Sequence, residues 1–218
     1  MNYKIYLFRH GESTYNRDGK FTGWRNAKLT PKGKRQAQLI AKKLKDKKFE
    51  VAFQTPLSRS KKTLKYVLKF HPECKKIISD NRMIERSYGI LEGTSHKQFI
   101  KRVGEKLFRL QYSGSAIENL SPQDKKQIEK FLGGKEYKVI HRGYEIKVPK
   151  GESLKDVEKR VGEFIIWLKK YIRKNKVNVA ISAHGNSIRL FRKIMEKSSR
   201  EETVRWVIPY NKYFEYDV

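Results

Sequence analysis

The chain has 218 residues, a hydrophobic fraction of 38%, a charged fraction of 34% and a formal net charge of +28. A chain of this length can bury a sizeable hydrophobic core without disulfide bonds to stabilise it. The single cysteine, Cys74, excludes an intramolecular disulfide, and no apolar run approaches the roughly 20 residues that span a bilayer. The amino terminus carries no apolar signal segment. We therefore expect a soluble, cytoplasmic protein that does not enter a membrane.

The basic residues point first to nucleic-acid binding, because basic proteins bind phosphate backbones through counterion release. The lysines, however, are spread over nearly every segment, and many lie on the polar faces of predicted helices, as in Lys42-Lys43 and Lys169-Lys170. We interpret them as a compositional bias whose field also attracts small anionic substrates. Nucleic-acid binding stays open as a disfavoured alternative.

Strand-like and helix-like segments alternate over the first third of the chain. The pattern predicts strands at 3–8, 51–55 and 77–79, and helices from Thr30-Pro31 to about Lys47 and through 57–68. Such alternation is typical of a parallel α/β sheet with helices on its faces. The sequence therefore predicts a three-layer α/β fold.

The alternation breaks between Met83 and about Val148. Ser121-Pro122 is a helix start, and Gly133-Gly134 is expected to end that helix. We interpret residues 86–150 as a cap inserted into a single domain of residues 1–218.

Regular structure resumes after the cap. The pattern predicts a long helix over 154–172, a buried strand over 177–182, a helix over 188–194 and an edge strand over 213–218. Because the sequence ends at Val218, we expect no long tail to close over a site.

Two predicted strands are followed by a histidine and a glycine, in Arg9-His10-Gly11 and Ala183-His184-Gly185. The carboxyl ends of parallel strands meet at one edge of a sheet, so both imidazoles can reach one pocket. Arg59 lies in the first turn of the helix after the second strand, at that same edge. With Asn16 and the helix N-termini, these groups match a tetrahedral dianion.

The predicted chemistry is phosphoryl transfer through His10. Arg9 and Arg59 disfavour the imidazolium form and keep His10 nucleophilic. His184, which would only hydrogen-bond the phosphate, can remain charged and stabilise the transferring group. The leaving oxygen needs a proton, and Glu85, at the start of the loop that enters the cap, is the candidate acid. No metal is needed, and the sequence offers no grouping of metal ligands. Each residue alone is more often a turn or surface residue, so the prediction depends on the set.

These residues resemble the histidine phosphatase superfamily. Within it, Asn16, Phe21-Thr22-Gly23-Trp24, Glu85-Arg86-Ser87-Tyr88-Gly89 and Glu152-Ser153-Leu154 are similar to the cofactor-dependent phosphoglycerate mutases. The resemblance implies a mostly parallel sheet of about six strands with flanking helices. It also implies that His10 is phosphorylated, that Glu85 gives and takes the proton, and that 2,3-bisphosphoglycerate is the priming donor, with no tightly bound cofactor.

The resemblance further implies which residues bind the substrate. The phosphate would be held by Arg9, Asn16, Arg59, His184 and Asn186. The remainder of the substrate would be held by Thr22, Gly23, Arg86 and Tyr88, with Lys97 as a further candidate.

The sequence departs from the mutase pattern in the cap. The mutases carry a lysine three residues after the second glycine of their Tyr-Gly-x-Leu-x-Gly run, where this chain has His96 followed by Lys97. They also carry an adjacent arginine pair, whereas Arg102 and Arg109 are far apart. In the mutases, these positions bind a second anionic group of the substrate and help to exclude water, so both differences affect those two features. We therefore favour a mutase that interconverts 3- and 2-phosphoglycerate, with a phosphatase of small phosphorylated metabolites as the alternative; a homo-oligomer is compatible with both.

Overall fold

The computed structural model describes residues 2–111 and 120–218. Its strands are β1 (Lys4–Arg9), β2 (Val51–Gln54), β3 (Lys76–Ser79), β4 (Val179–Ala183) and β5 (Tyr213–Asp217). Its helices are α1 (Thr14–Arg17), α2 (Pro31–Leu44), α3 (Ser58–Val67), α4 (His96–Gln111), α5 (Pro122–Arg142), α6 (Leu154–Asn175), α7 (Gly185–Glu196) and α8 (Arg200–Arg205). Single 3-10 turns occur at Leu68–Phe70, Asn81–Met83 and Gly89–Leu91.

The strands form one sheet in the order β3-β2-β4-β1-β5. The first four strands in this order are parallel, and β5 pairs antiparallel with β1 at the edge. The α/β class and the mostly parallel sheet are thereby confirmed. The described residues contain five strands, however, where the family resemblance implied about six.

Helices cover both faces of the sheet. Because side chains alternate along a strand, Ile5 and Leu7 of β1 pack with α6 and α7 on one face, whereas Tyr6 and Phe8 pack with α2 and α3 on the other. Residues at both faces are almost fully buried. This two-sided burial holds the carboxyl ends of β1, β2 and β4 in fixed relative positions.

The segment between β3 and α6 contains α4 and α5, and a separate apolar cluster joins it to the sheet edge. That cluster comprises Phe21, Tyr88, Leu91, Phe99 and Val148. Within the described residues, no helix is long and apolar enough to cross a bilayer.

The predicted end of α5 at Gly133-Gly134 is wrong, because the helix continues to Arg142. Gly133 lies where α5 crosses α4, and a Cβ there would stand 1.9 Å from the Ile100 carbonyl oxygen. Gly104 on α4 is equally close to Glu129 of α5. The glycine marks a close helix crossing, and this contact offsets its low helix propensity.

Adjacent glycines provide a matched test of this crossing. A Cβ at Gly134 meets nothing within 4 Å, so Gly134→Ala should stabilise the protein by about 0.5–1 kcal/mol. Gly133→Ala should destabilise it by about 1–3 kcal/mol through overpacking. Urea unfolding followed by circular dichroism measures both changes. Equal effects of the two substitutions would contradict the crossing.

Candidate active site

The register of β1 and β4 places the two histidines next to each other. Arg9 pairs with Ala183 across the two strands, so His10 and His184 follow directly at the same level. Their ring centroids are 4.9 Å apart, and the His10 backbone N–H donates to the Ala183 carbonyl at 3.0 Å. Both side chains are almost completely buried.

The hydrogen bonds of His10 define its tautomer. Nδ1 lies 2.7 Å from the Gly11 carbonyl oxygen, which can only accept, so Nδ1 carries the proton. Nε2 accepts from the Arg59 Nε–H at 3.3 Å, so it presents a lone pair. The ring is therefore held as a neutral imidazole whose Nε2 is the nucleophilic atom.

Burial and nearby cations reinforce this neutral state. Burial of the His10 ring, followed by the charges of Arg59 and Arg9, lowers the pKa of His10 well below its usual value. The same causes lower the pKa of His184, to which His10 adds a contribution. Both rings are consequently uncharged near neutral pH, which corrects the expectation that His184 stays charged: burial and the neighbouring arginines disfavour its imidazolium form.

Arg59 is held rigidly beside His10. Its Nη1 and Nη2 donate to the carbonyl oxygens of Arg25 and Gly23, each at 2.8 Å. The side chain is fully buried, and burial lowers its pKa to about 10, so it stays charged near neutral pH. A guanidinium fixed in this way can meet a phosphate oxygen without further ordering.

Arg9 is positioned by a carbonyl and by an aromatic ring. Its Nη1 donates to the Ile208 carbonyl at 2.7 Å, and its Cζ lies 4.0 Å from the centroid of the Tyr210 ring. A Cβ on Gly185 would lie 3.5 Å from Arg9 Cζ and 3.6 Å from Glu85 Oε2. Arg9 and Glu85 thus flank the N-terminus of α7.

His184 is anchored by Thr55, which follows β2. The Thr55 Oγ1 lies 2.7 Å from His184 Nε2. The His184 side chain also faces the backbone N–H of Ser187 in a capping box at the start of α7. His184 therefore stands beside His10 but is not among the residues that line the cavity, although the sequence predicted it there.

Backbone N–H groups orient the carboxylate of Glu85. Its Oε1 accepts from the backbone N–H of Arg86 at 2.8 Å and from that of Asn186 at 3.1 Å. The Glu85 carbonyl in turn accepts from Trp24 Nε1 and from Arg160. Contacts from residues that precede and follow it in the sequence therefore hold the loop that carries Glu85 in place.

These groups surround a cavity of about 160 Å³. Its lining includes the expected residues Arg9, His10, Asn16, Thr22, Gly23, Arg59, Glu85, Tyr88 and Asn186. Asn186 connects the two sides, since its Nδ2 donates to the Tyr88 hydroxyl at 3.4 Å. Within residues 2–111 and 120–218, we find no cluster of three or more His, Cys, Asp or Glu side chains suited to a metal ion.

Two expected substrate residues lie elsewhere. Arg86 is fully buried, and its guanidinium donates to three backbone carbonyls, those of Glu152, Ile140 and Ile146. Its charge-assisted hydrogen bonds are thus directed to the ends of the cap and not to the cavity, which corrects the expectation for this side chain. Lys97 is exposed on α4 and does not line the cavity, because His96 occupies the inward position.

Sequence reasoning assigned no binding role to the other lining residues, although Phe21, His96 and Gly185 were named within motifs. They are Lys20, Phe21, His96, His141, Arg142, Gly185, Arg189, Val207 and Ile208. Arg189 carried a usable signal, since it follows Asn186 by three residues on a helix and shares its face. Arg142 carried none, because the helix that ends there was expected to stop at Gly133.

The family of the chain follows from comparison with known proteins. The family model described as histidine phosphatase superfamily (branch 1) matches residues 5–121. The chain belongs to the histidine phosphatase superfamily and is therefore an enzyme of that superfamily. The small phosphorylated substrates of such enzymes agree with a cavity lined by arginines.

Individual relatives and solved structures are similar to this chain over most of its length. A 2,3-bisphosphoglycerate-dependent phosphoglycerate mutase from Staphylococcus epidermidis is 34% identical over 212 residues, covering 94% of this chain and 90% of the relative. Among solved structures, the α-ribazole phosphatase from Shigella flexneri superposes with a TM-score of 0.71 at 20% identity, over 97% and 89% of the two chains. A phosphoglycerate mutase from Bacillus anthracis superposes with a TM-score of 0.64 at 21% identity, over 90% and 81%. These superpositions show the shared fold.

The neutral histidines predict how stability depends on pH. Below about pH 6.5 the unfolded chain protonates its histidines, whereas folded His10 stays neutral. The stability that neutral His10 contributes is present above that pH and is lost as the pH falls, with a slope of about 1.4 kcal/mol per pH unit. Replacing His10 with Gln should reduce the slope of unfolding free energy against pH by about that amount between about pH 6 and pH 5.

Urea unfolding over a pH series measures the two slopes. Above about pH 7.5 histidine is neutral in both states, so there wild type and variant should give parallel curves. Identical slopes between about pH 6 and pH 5 would mean that folded His10 takes up a proton, contrary to the geometry.

Proposed function

We propose that the protein transfers a phosphoryl group through His10 and interconverts 3- and 2-phosphoglycerate, primed by 2,3-bisphosphoglycerate. The single observation that carries the phosphoryl-transfer step is the lone pair on Nε2 of His10, a cavity-lining residue, which accepts from the cavity-lining Arg59. The relatives named as mutases support the choice of substrate.

In the proposed step, His10 Nε2 attacks phosphorus while the bond from phosphorus to the substrate oxygen breaks. Arg59 and Arg9 bind the phosphoryl oxygens, and the His184 ring packs beside His10 with their centroids 4.9 Å apart. Glu85 gives a proton to the departing oxygen. In the reverse direction it removes the proton from whichever hydroxyl receives the group.

The charges that line the cavity fit a highly anionic ligand. Among the described lining residues, five side chains are cationic, Arg9, Lys20, Arg59, Arg142 and Arg189, and Glu85 is the one carboxylate. When bound, 2,3-bisphosphoglycerate supplies the phosphoryl group that primes His10. Its several negative charges would be offset by this excess of cations.

Hydrolysis is the second candidate, because His96 stands where the mutase pattern has a lysine and contacts the aromatic ring of Phe21. Water reaching phosphorylated His10 would turn the same residues into a phosphatase.

Product analysis separates the two activities. The mutase predicts conversion of 3-phosphoglycerate into 2-phosphoglycerate, stimulated by catalytic amounts of 2,3-bisphosphoglycerate. Enzyme-coupled detection of 2-phosphoglycerate and a phosphate-release assay run on the same sample measure both products. Inorganic phosphate as the main product, with no stimulation by the bisphosphate, would reject the mutase in favour of the phosphatase.

The phosphoenzyme is tested by labelling. Protein incubated with labelled bisphosphoglycerate should acquire acid-labile phosphate, and His10→Ala should acquire none and lose turnover. His71→Gln is the matched control, since His71 lies outside the cavity and contacts Phe49. Retention of label in His10→Ala would exclude His10 as the acceptor.

The proton role of Glu85 is tested with an isosteric amide. Glu85→Gln can still accept from the Asn186 backbone N–H, so the substrate should still bind. Turnover should fall by roughly 10²–10⁴-fold. Glu163→Gln, at an exposed site on α6, is the control. A Glu85→Gln turnover close to that of the control would assign the acid to another residue.

A further inference from the structure

Two arginines from separate elements meet at the Trp206 carbonyl oxygen on the cavity wall. Arg142, the last residue of α5, donates to this oxygen from Nη1 at 3.5 Å, and Arg189 of α7 donates from Nη2 at 3.0 Å. Both side chains line the cavity. The chain therefore forms in space an arginine pair that its sequence does not contain as neighbours.

This pair is distinct from the arginines that act on His10. The cations that lower the pKa of His10 are Arg59 and Arg9. Burial and then Arg142 lower the pKa of Arg189 to about 10, so Arg189 stays charged near neutral pH. The cavity thus has two groups of guanidinium ions, one at His10 and one at the Trp206 carbonyl.

Little negative charge offsets the second group: Glu85, the one carboxylate among the described lining residues, attracts Arg189 at longer range. Among the described residues, no carboxylate forms a salt bridge with Arg142 or Arg189. Arg189 donates to the Asn186 amide oxygen, but its Nε is buried and has no described partner. Uncompensated positive charge is costly to bury, and a bound anion would remove much of that cost.

The neighbouring imidazoles contribute no charge of their own. Burial lowers the pKa of His96, and burial together with Arg142 lowers that of His141 to about 3. His96 Nε2 is buried without a described partner. The imidazoles can donate hydrogen bonds to a ligand, and the positive charge comes from the two arginines together with Lys20, whose backbone pairs with Ser95 next to His96.

We propose that Arg142 and Arg189 form a second anion site, which selects phosphorylated substrates that carry another anionic group. The inference rests on the proposed function only in that the first phosphate lies at His10. A carboxylate or phosphate accepts two parallel bonds from a guanidinium, so Arg142 acts as a specificity determinant.

Binding of two matched ligands tests this site without turnover. 3-Phosphoglycerate and glycerol 3-phosphate share a phosphomonoester but differ in a carboxylate, and calorimetry on a His10→Ala background gives both dissociation constants. This protein should bind 3-phosphoglycerate about 10- to 100-fold more tightly. Adding Arg142→Gln should remove most of that preference and leave glycerol 3-phosphate binding nearly unchanged.

Arg102→Gln is the control, since Arg102 is exposed on α4 outside the cavity. Arg142→Lys keeps the positive charge but cannot donate two parallel hydrogen bonds, so it should show an intermediate preference for 3-phosphoglycerate. This variant replaces Arg142→Gln in the test if the Gln variant does not fold. Equal binding of the two ligands by the His10→Ala protein, or an Arg142 variant that matches the Arg102 control, would overturn the proposal. Absence of 2-phosphoglycerate formation by wild type would reject the mutase alone, because these binding constants require no turnover.

Discussion

The site depends on two hydrogen bonds to one imidazole. The Gly11 carbonyl fixes the proton on Nδ1 of His10, and the Arg59 Nε–H can only point at a lone pair on Nε2. Burial and two guanidinium groups act in the same direction by disfavouring protonation. Geometry and electrostatics therefore lead independently to the same neutral tautomer, the form that a nucleophilic histidine requires.

The parallel pairing of the strands determines which side chains lie next to the His10 imidazole. Parallel pairing of β1, β2 and β4 places His10, Thr55 and His184 at one edge, where Arg59 also lies in the first turn of α3. This is why His10, Arg59 and His184 could be predicted from the sequence: each follows a strong strand signal by one to a few positions. Thr55 was not predicted as a site residue, because it lies within the predicted strand 51–55. The local pattern of Arg9-His10-Gly11 and Ala183-His184-Gly185 contained the necessary information.

The cap could not be predicted in the same way, and its errors are connected. A glycine pair normally ends a helix, but Gly133 is tolerated within α5 because it permits a close crossing with α4. Only the continued helix brings Arg142 to the cavity. Arg86, expected to bind substrate, instead binds the carbonyls of Ile140 and Ile146 on either side of Arg142. Long-range packing thus decided which arginines face the ligand, and local propensity carried no information about it.

The protonation state of His10 is the most direct test of the account. Nitrogen-15 NMR of protein labelled at histidine, with the His10 signals assigned by comparison with His10→Gln, reports each ring nitrogen separately. At about pH 7, near the ordinary histidine pKa, the account predicts a protonated Nδ1 and an unprotonated Nε2. An imidazolium, or a neutral ring with its proton on Nε2, would contradict it, because neither leaves Nε2 a lone pair to take phosphate.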